Sequence, residues 1–407
     1  KRFIRPFDLK ESPLLRVGVV KLSKEKYLVV FDMHHIISDG TSMAVLVREF
    51  THLYQGQQLA ELNLQYKDYA HWQSQLLQSA EMQSQEKYWL EQFSGQLPIL
   101  ELPTDFPRPV TQSFEGDRYD YTLDPQLVEK LERLTSRTGT TMYMVLLSAI
   151  NILLARYSGQ EDIIIGSPIA GRNHSELENI IGMFVNTLAM RNRPTGNLTY
   201  LEFLDQVKEK ALQAFENQDY QFEMLVEKLE LKRDMSRNPI FDVMFVMENM
   251  DRSSLELEGL EIEPYDQKNT TSKFDLSFYG EEIDGQLVIG LEYSTKLFKR
   301  ESIIRMSKHL TNILETIVEN SDQELEKIDL LNQEERVQIL SDFNDTDMPY
   351  LEDKTLNQIF EERVTEIPDK VGVVYDGQEL TYRQLDKRAN GLAAKLRQKG
   401  VGPDKIV

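Results

Sequence analysis

His34-His35-Ile36-Ile37-Ser38-Asp39-Gly40 is the segment of this chain best equipped for chemistry. The chain has six histidines in 407 residues, so two in succession followed by Ser-Asp-Gly stand out. Imidazole is the side chain that exchanges a proton near neutral pH, and general acid–base work is the first chemistry to weigh. Against it stands the ordinary fate of an isolated buried histidine, which is structural. A shared metal ion is disfavoured: neighbouring residues on an extended chain project to opposite faces, and no third ligand cluster accompanies them. The same alternation lets one imidazole face a cleft while the other turns inward. Gly40 admits a backbone conformation that a side chain would forbid. Asp39 is set to be buried at the turn, where its charge needs a partner such as an arginine.

The elements around this segment must position it. Leu14–Leu22 and Tyr27–Met33 are rich in β-branched residues and flank the polar turn Ser23-Lys24-Glu25-Lys26, which predicts a hairpin ending at the histidines. Thr41-Ser42 offers a cap, and Met43–Phe50 has helical periodicity, so the histidines fall on a strand-to-helix connection. Glu86–Phe93 reads as helix and the proline-rich Leu97–Val110 as a crossing between subdomains. A second cycle follows: strand Arg118–Leu123, then a helix over Asp124–Thr138 with Pro125 in its first turn and Gly139 past its end. Thr141–Tyr157 is apolar nearly all round, which predicts a buried helix. Further strands are expected at Asp162–Gly166, Phe241–Met247, Phe274–Phe278 and Leu287–Tyr293, the last two joined through Ile283-Asp284-Gly285-Gln286. Tyr200–Asn217 and Arg300–Asn320 complete the helices of this part. Asp342–Lys354 reads as a linker. After it come helix Leu356–Val364, a hairpin over Val371–Leu380 through Asp376-Gly377, and helix Tyr382–Gln398. The recurrent strand–helix alternation suggests two similar α/β lobes.

Composition narrows the function. Hydrophobic residues make up 41% of the chain, enough for sizeable cores. The absence of cysteine removes disulfides, thiolate nucleophiles and cysteine-ligated metals. A net charge of −21 opposes phosphate backbones, so a nucleic-acid partner is not expected. The longest apolar runs, such as Met144–Leu154, are too short to span a bilayer, and a cytoplasmic setting without a membrane partner is the default. The chain starts at Lys1 and stops inside a strand-like Ile406-Val407, so both ends read as cuts in a longer polypeptide.

The histidine segment resembles the active-site motif of the condensation domains of non-ribosomal peptide synthetases, and more loosely that of chloramphenicol acetyltransferase and other His-x-x-x-Asp-Gly acyltransferases. Further signatures of the condensation family follow in order. Tyr66-Lys67-Asp68-Tyr69-Ala70-His71-Trp72 is similar to its Tyr-x-Asp-Tyr-Ala-x-Trp segment, and Ile181-Gly182-Met183-Phe184-Val185-Asn186-Thr187, ending at Arg191, to the next. Asn217-Gln218-Asp219-Tyr220-Gln221-Phe222-Glu223 resembles the following one, with Tyr and Gln where His-x-Pro variants are frequent. Arg233-Asp234-Met235-Ser236-Arg237-Asn238-Pro239 resembles the last, and Lys273-Phe274-Asp275-Leu276 adds support. Taken singly, each of these is more often structural than catalytic; their joint order carries the resemblance. It runs from Phe3 to Leu340 and lacks the family's first two motifs. Leu380-Thr381-Tyr382-Arg383-Gln384-Leu385 with the helix after it resembles the opening of an adenylation domain.

The resemblance implies an α/β fold of two chloramphenicol-acetyltransferase-like lobes forming a V with a central tunnel. Residues 1–110 would be the remaining part of the N-terminal lobe, 111–340 the C-terminal lobe, 341–355 a linker and 356–407 the start of the adenylation domain. It implies an acyltransferase that joins a donor aminoacyl or peptidyl thioester to an acceptor aminoacyl thioester. Upstream and downstream peptidyl carrier domains would present both on phosphopantetheine arms, with no cofactor or metal bound directly. His35 would be the working group, either as general base or by orienting the amine and stabilising the tetrahedral intermediate. His34 would support it. Gly40 would bring its N–H near the reacting centre. Asp39 would be architectural through a salt bridge, with Arg172 its partner by position, and Asn186 and Arg237 would satisfy buried backbone. The Ser-Asp-Gly and Phe-Val-Asn-Thr wording leans towards an L-configured donor. An epimerisation domain and a catalytically silent carrier-docking platform are the competing readings. A fragment without the front of its N-terminal lobe should expose a sheet edge and part of its core.

Overall fold

Alternating β-branched residues on both sides of a short polar turn build the first hairpin. In the computed structural model, which describes residues 3–248, 257, 259–262, 265, 270–283, 285–348 and 353–406, β1 (Leu15–Lys21) and β2 (Tyr27–Met33) pair antiparallel from Leu15↔Met33 to Lys21↔Tyr27. One face is covered by the N-terminal segment: Arg16 stacks on Phe7 with 3.6 Å from guanidinium to ring centroid and pairs with Asp32 at 2.7 Å. The opposite face is bare. Val17, Val19, Tyr27, Val29 and Phe31 lie on it in register and are all exposed, Val19 at 66%. Bare apolar strands of this kind associate. Residues 1–407 expressed alone are therefore expected to self-associate, and Val19→Lys with Val29→Lys to reduce this; light scattering that finds a clean monomer for the unsubstituted chain would contradict it.

After β2 a single 3-10 turn (His35–Ile37) leads into α1 (Gly40–Tyr54), followed by α2 (Tyr66–Leu76) and α3 (Ala80–Gln92). The cap of α1 is Asp39, whose side chain accepts from the Ser42 N–H. The expected cap at Thr41-Ser42 and helix start at Met43 are thus moved upstream. Aspartate, serine and threonine all cap well; here Asp39 is buried at the helix start and Ser42 is used elsewhere.

Residues 97–110 form no regular element, as their prolines suggest. They precede β3 (Gly116–Thr122), α4 (Pro125–Thr138), α5 (Met142–Ser158), β4 (Ile163–Ile169), β5 (Asn186–Asn192), α6 (Tyr200–Glu216), α7 (Phe222–Lys228), β6 (Val243–Glu248), β7 (Leu276–Ile283), β8 (Gln286–Ser294) and α8 (Arg300–Glu319). The six strands form one mixed sheet of order β3-β8-β7-β6-β4-β5. β4 runs past Gly166 through Pro168, longer than its sequence suggests, because its last residues pair with β5, Pro168 opposite Thr187. Asp284 of the β7–β8 turn lies outside the described residues, while Gly285 takes φ 73°.

α4, α5, α6 and α8 supply the core against this sheet. α5 is buried continuously from Met144 to Leu154, as its all-round apolar sequence requires. Thr141 caps it, and Gly159 closes it in the left-handed region at φ 70°. Fully buried residues such as Leu131, Leu153 and Phe278 are each worth roughly 1.5–3 kcal/mol of transfer free energy. Among the described residues no single helix is long and apolar enough to cross a membrane.

The chain divides into two compact units, 1–333 and 334–407. The second holds most of α9 (Gln333–Leu340), then α10 (Leu356–Glu366), the hairpin β9 (Val371–Tyr375) and β10 (Gln378–Thr381), and α11 (Tyr382–Gln398). Within the expected linker, Asp342–Asn344 form a 3-10 turn.

Candidate functional site

The histidines sit where β2 ends. His34 is still extended (φ −72°, ψ 133°), and its Nδ1 accepts the Ile36 N–H at 3.0 Å, capping the turn that follows. An accepting Nδ1 puts the proton of neutral His34 on Nε2. Its ring stands edge-on to Phe7, centroids 6.1 Å apart, and is half-buried. His35 is exposed. Its Nδ1 lies 2.6 Å from the Ser38 carbonyl oxygen. A carbonyl only accepts, so Nδ1 carries the proton, and Nε2 of neutral His35 is left with its lone pair. The Ser38 N–H returns to the His35 carbonyl at 3.2 Å, closing the turn on itself. The two adjacent imidazoles thus have different partners and, in their neutral forms, opposite tautomers. Among the described residues no group of three His, Cys, Asp or Glu could hold a metal ion.

Asp39 is the buried centre of the next layer. Its side chain has no exposure, and that of its partner Arg172 has 4%. Oδ1 accepts from the Ser42 N–H (2.8 Å) and Arg172 Nη2 (3.0 Å), and lies 2.8 Å from Ser42 Oγ. Oδ2 accepts from Arg172 Nη1 (2.8 Å) and the Phe184 N–H (3.0 Å). Burial alone pushes this carboxyl up; the bidentate arginine and the two backbone N–H groups outweigh it and hold the carboxyl below the ordinary range. Arg172 also donates to the Ile180 carbonyl at 3.2 Å and lies over the Phe184 ring at 4.2 Å. Two glycines let this contact close. Gly171 has φ 65°, and a Cβ there would come within 2.0 Å of the Phe184 carbonyl oxygen; a Cβ on Gly182 would meet the Tyr66 ring at 2.1 Å. Tyr66 donates to the Met183 carbonyl at 2.7 Å. Tyr69, Leu177, Ile180 and Phe184 form a small core beneath.

Gly40 corrects one expectation. It is the first residue of α1 and is not among the glycines with positive φ. Helix entry at this position suits ordinary residues, so no forbidden conformation is required of it. Its N–H belongs to the first turn, which helices leave without an internal acceptor.

Asn186 and Arg237 do not join this cluster. Asn186 donates to the Gln218 and Tyr220 carbonyls (2.8 and 2.9 Å) and accepts from the Thr187 and Phe222 N–H groups (2.8 and 3.1 Å). It staples the start of β5 to the segment before α7. Asn186→Ala would leave several buried backbone groups without partners, and a loss of roughly 2–3 kcal/mol is expected in denaturant unfolding. Arg237 bonds Asp242, Glu101 and the Leu100 carbonyl, tying residues 100–101 to the start of β6. Arg108 and Asp275 pair beside it. Trp72 stays 41% exposed, edge-on to His174. Sequence reasoning overlooked Ser42 and Tyr66 as members of the site. Their only signal is membership of or proximity to the motifs, because the backbone groups they hold, at Gly182 and Met183, lie more than a hundred residues away.

The histidine turn, its buried Asp39–Arg172 support and the six-stranded mixed sheet together define a class. The condensation-domain profile matches residues 1–340, and the chain belongs to that family. An AMP-binding enzyme profile matches residues 360–407. The whole chain is 52% identical to part of bacitracin synthase 3 of Bacillus licheniformis, covering 6% of it, and 99% of the chain is 50% identical to part of gramicidin S synthase 2 of Brevibacillus brevis, covering 9% of it. The chain thus spans less than a tenth of the length of these relatives. Among solved structures, a four-domain non-ribosomal peptide synthetase bound to AMP and glycine shares the fold with a TM-score of 0.85 at 23% identity, over 98% of this chain and 31% of that one. The X-domain from teicoplanin biosynthesis aligns with a TM-score of 0.73 at 26% identity, over 81% of this chain and 77% of that one.

Proposed function

We propose that this chain forms peptide bonds in non-ribosomal peptide synthesis, as an acyltransferase acting on two carrier-bound thioesters. One carrier presents a donor aminoacyl or peptidyl group, and the other an acceptor aminoacyl group. The acceptor amine attacks the donor carbonyl, the carbon–sulfur bond breaks, and the thiolate leaves on the donor arm. His35 Nε2 takes a proton from the acceptor ammonium, or from the addition intermediate where the amine attacks already neutral, and the leaving thiolate takes up a proton. The observation that carries this reading is the exposed His35 with Nδ1 committed to the Ser38 carbonyl, which keeps Nε2 available. Asp39, buried and paired with Arg172, supports the turn and takes no proton. His34 caps it, and the exposed Gly40 N–H is a weaker candidate for contact with the substrate. Because an α-amino group has a pKa near ~8, part of the acceptor is already neutral at about pH 7, and positioning by His35 contributes beside proton transfer.

Carrier domains on either side, an adjoining adenylation domain begun by residues 356–407, and a cytoplasmic setting complete the picture. Phosphopantetheine arrives on the carriers and is not held as a resident cofactor. The lobes would span 1–110 and 111–340 with the substrate tunnel between them, and residues 341–355 would link to the adenylation part. The donor is read as L-configured.

The test supplies donor- and acceptor-loaded carrier proteins to the intact module in deuterated buffer. A dipeptide on the acceptor carrier supports condensation. A deuterated, stereo-inverted donor still on its own carrier would signal epimerisation instead. Binding of both carriers with no product would signal a silent platform.

A further inference from the structure

Ser42 does more than its size suggests. It lies on α1 with no solvent exposure. Its hydroxyl accepts from the Gly182 N–H at 3.0 Å and from Arg172 Nη2 at 3.0 Å. Its single proton has two acceptors at 2.8 Å, Asp39 Oδ1 and the Gly182 carbonyl. Ser42 therefore joins the carboxylate–guanidinium pair to both backbone groups of one residue on a distant segment.

That segment, residues 181–185, lies between the Arg172 loop and β5. Side chains, not strand partners, hold its backbone on one side: Ser42 at Gly182, Tyr66 at the Met183 carbonyl, Asp39 at the Phe184 N–H. Burial alternates along it. Gly182, Phe184 and Asn186 are buried, while Ile181, Met183, Val185 and Thr187 are half-exposed. The buried side faces the clasp, so the half-exposed row projects away from it.

We propose that Ser42 is a positioning residue that sets the placement of Gly182–Phe184 against the His35 turn. This rests on the condensation reading above. Asp39 caps α1 one residue after Ser38, whose carbonyl orients His35. A shift of Gly182 relative to Ser42 therefore changes the spacing between His35 and the Met183–Val185 row. The ion pair and the Asp39–Phe184 bond survive loss of the hydroxyl, so the lobe stays folded while the link at Gly182 is cut.

The experiment compares Ser42→Ala, Ser42→Cys and Ser42→Thr with the unsubstituted intact module in the two-carrier assay, with hydrogen exchange followed on peptides covering 180–185. For Ser42→Ala, kcat should fall about tenfold with the KM for the loaded acceptor within about twofold, as expected for a misplaced reacting group. Exchange at the Gly182 amide should quicken. Ser42→Thr, which keeps the hydroxyl, should recover most of kcat, and the weaker hydrogen-bonding thiol of Ser42→Cys should fall between, which preserves the comparison if the alanine variant does not fold. Unchanged exchange at Gly182, or a lower melting temperature with kcat within twofold, overturns the proposal. His35→Ala is run alongside: a rate for it equal to the unsubstituted protein sinks the reading of the reaction, a result distinct from any Ser42 outcome.

Discussion

His35→Ala should abolish peptide formation by the intact module and leave its melting temperature unchanged. The side chain is exposed, and its polar contact is to a carbonyl three residues along the same turn, so its removal should cost no more than about 0.5 kcal/mol. Loss of an aligned proton acceptor should cost roughly 10²–10⁴ in rate. The size of the loss should depend on pH. Below about pH 8 most of the acceptor is an ammonium and needs a base; above it the amine supplies its own lone pair. A loss that shrinks as pH rises past 8 identifies proton transfer as the larger part of the role. A loss that is flat across this range identifies positioning and charge stabilisation. Near-normal product from a well-folded variant would sink the assignment of His35 altogether.

Asp39→Ala and Arg172→Ala are expected to have the largest effects on stability, roughly 3–5 kcal/mol each, because either one leaves its partner as an uncompensated charge in a buried place. Asp39→Ala also strands the Ser42 and Phe184 N–H groups. The double variant should lose much less than the sum, since the second change removes the orphan left by the first. The pH dependence has a definite sign. The Asp39 carboxyl is held below its ordinary range in the folded chain. Its contribution is therefore fully present above the unfolded value of about 4 and lost as pH falls through the lower folded value. The stability gap between the unsubstituted protein and Asp39→Asn should accordingly hold from neutrality to about pH 5 and close in stronger acid. Urea unfolding across that range checks it; an unchanged Asp39→Ala unfolding curve at pH 7 would refute the supporting role.

Local signals were sufficient wherever the deciding atoms are neighbours in the chain. Asp124, Pro125 and Gly139 bound α4 as a cap, first turn and left-handed stop should. β2 and α11 carry the limits their patterns suggest, and the His34–Gly40 segment falls on the strand-to-helix connection expected of it. The need of Asp39 for an arginine also follows from elementary electrostatics, and the family pattern pointed to Arg172. Elements defined by distant partners were not legible. β5 is a strand because β4 lies beside it, and α2 is held by Phe184 and Met183 from another part of the chain. The choice among Asp39, Thr41 and Ser42 as cap could not be made locally, since all three side chains can bond a free N–H. Tertiary structure decided it: Arg172 and the Phe184 N–H draw Asp39 into the helix start, and Gly182 occupies the Ser42 hydroxyl. The sequence by itself determined that the histidine segment falls on a strand-to-helix turn, and its resemblance to the condensation motif singled out His35 as the working candidate. Only the tertiary structure decided what holds that turn in place, because the atoms that satisfy Asp39 and Ser42 lie some 130–145 residues away along the chain, and no local pattern records a contact of that span.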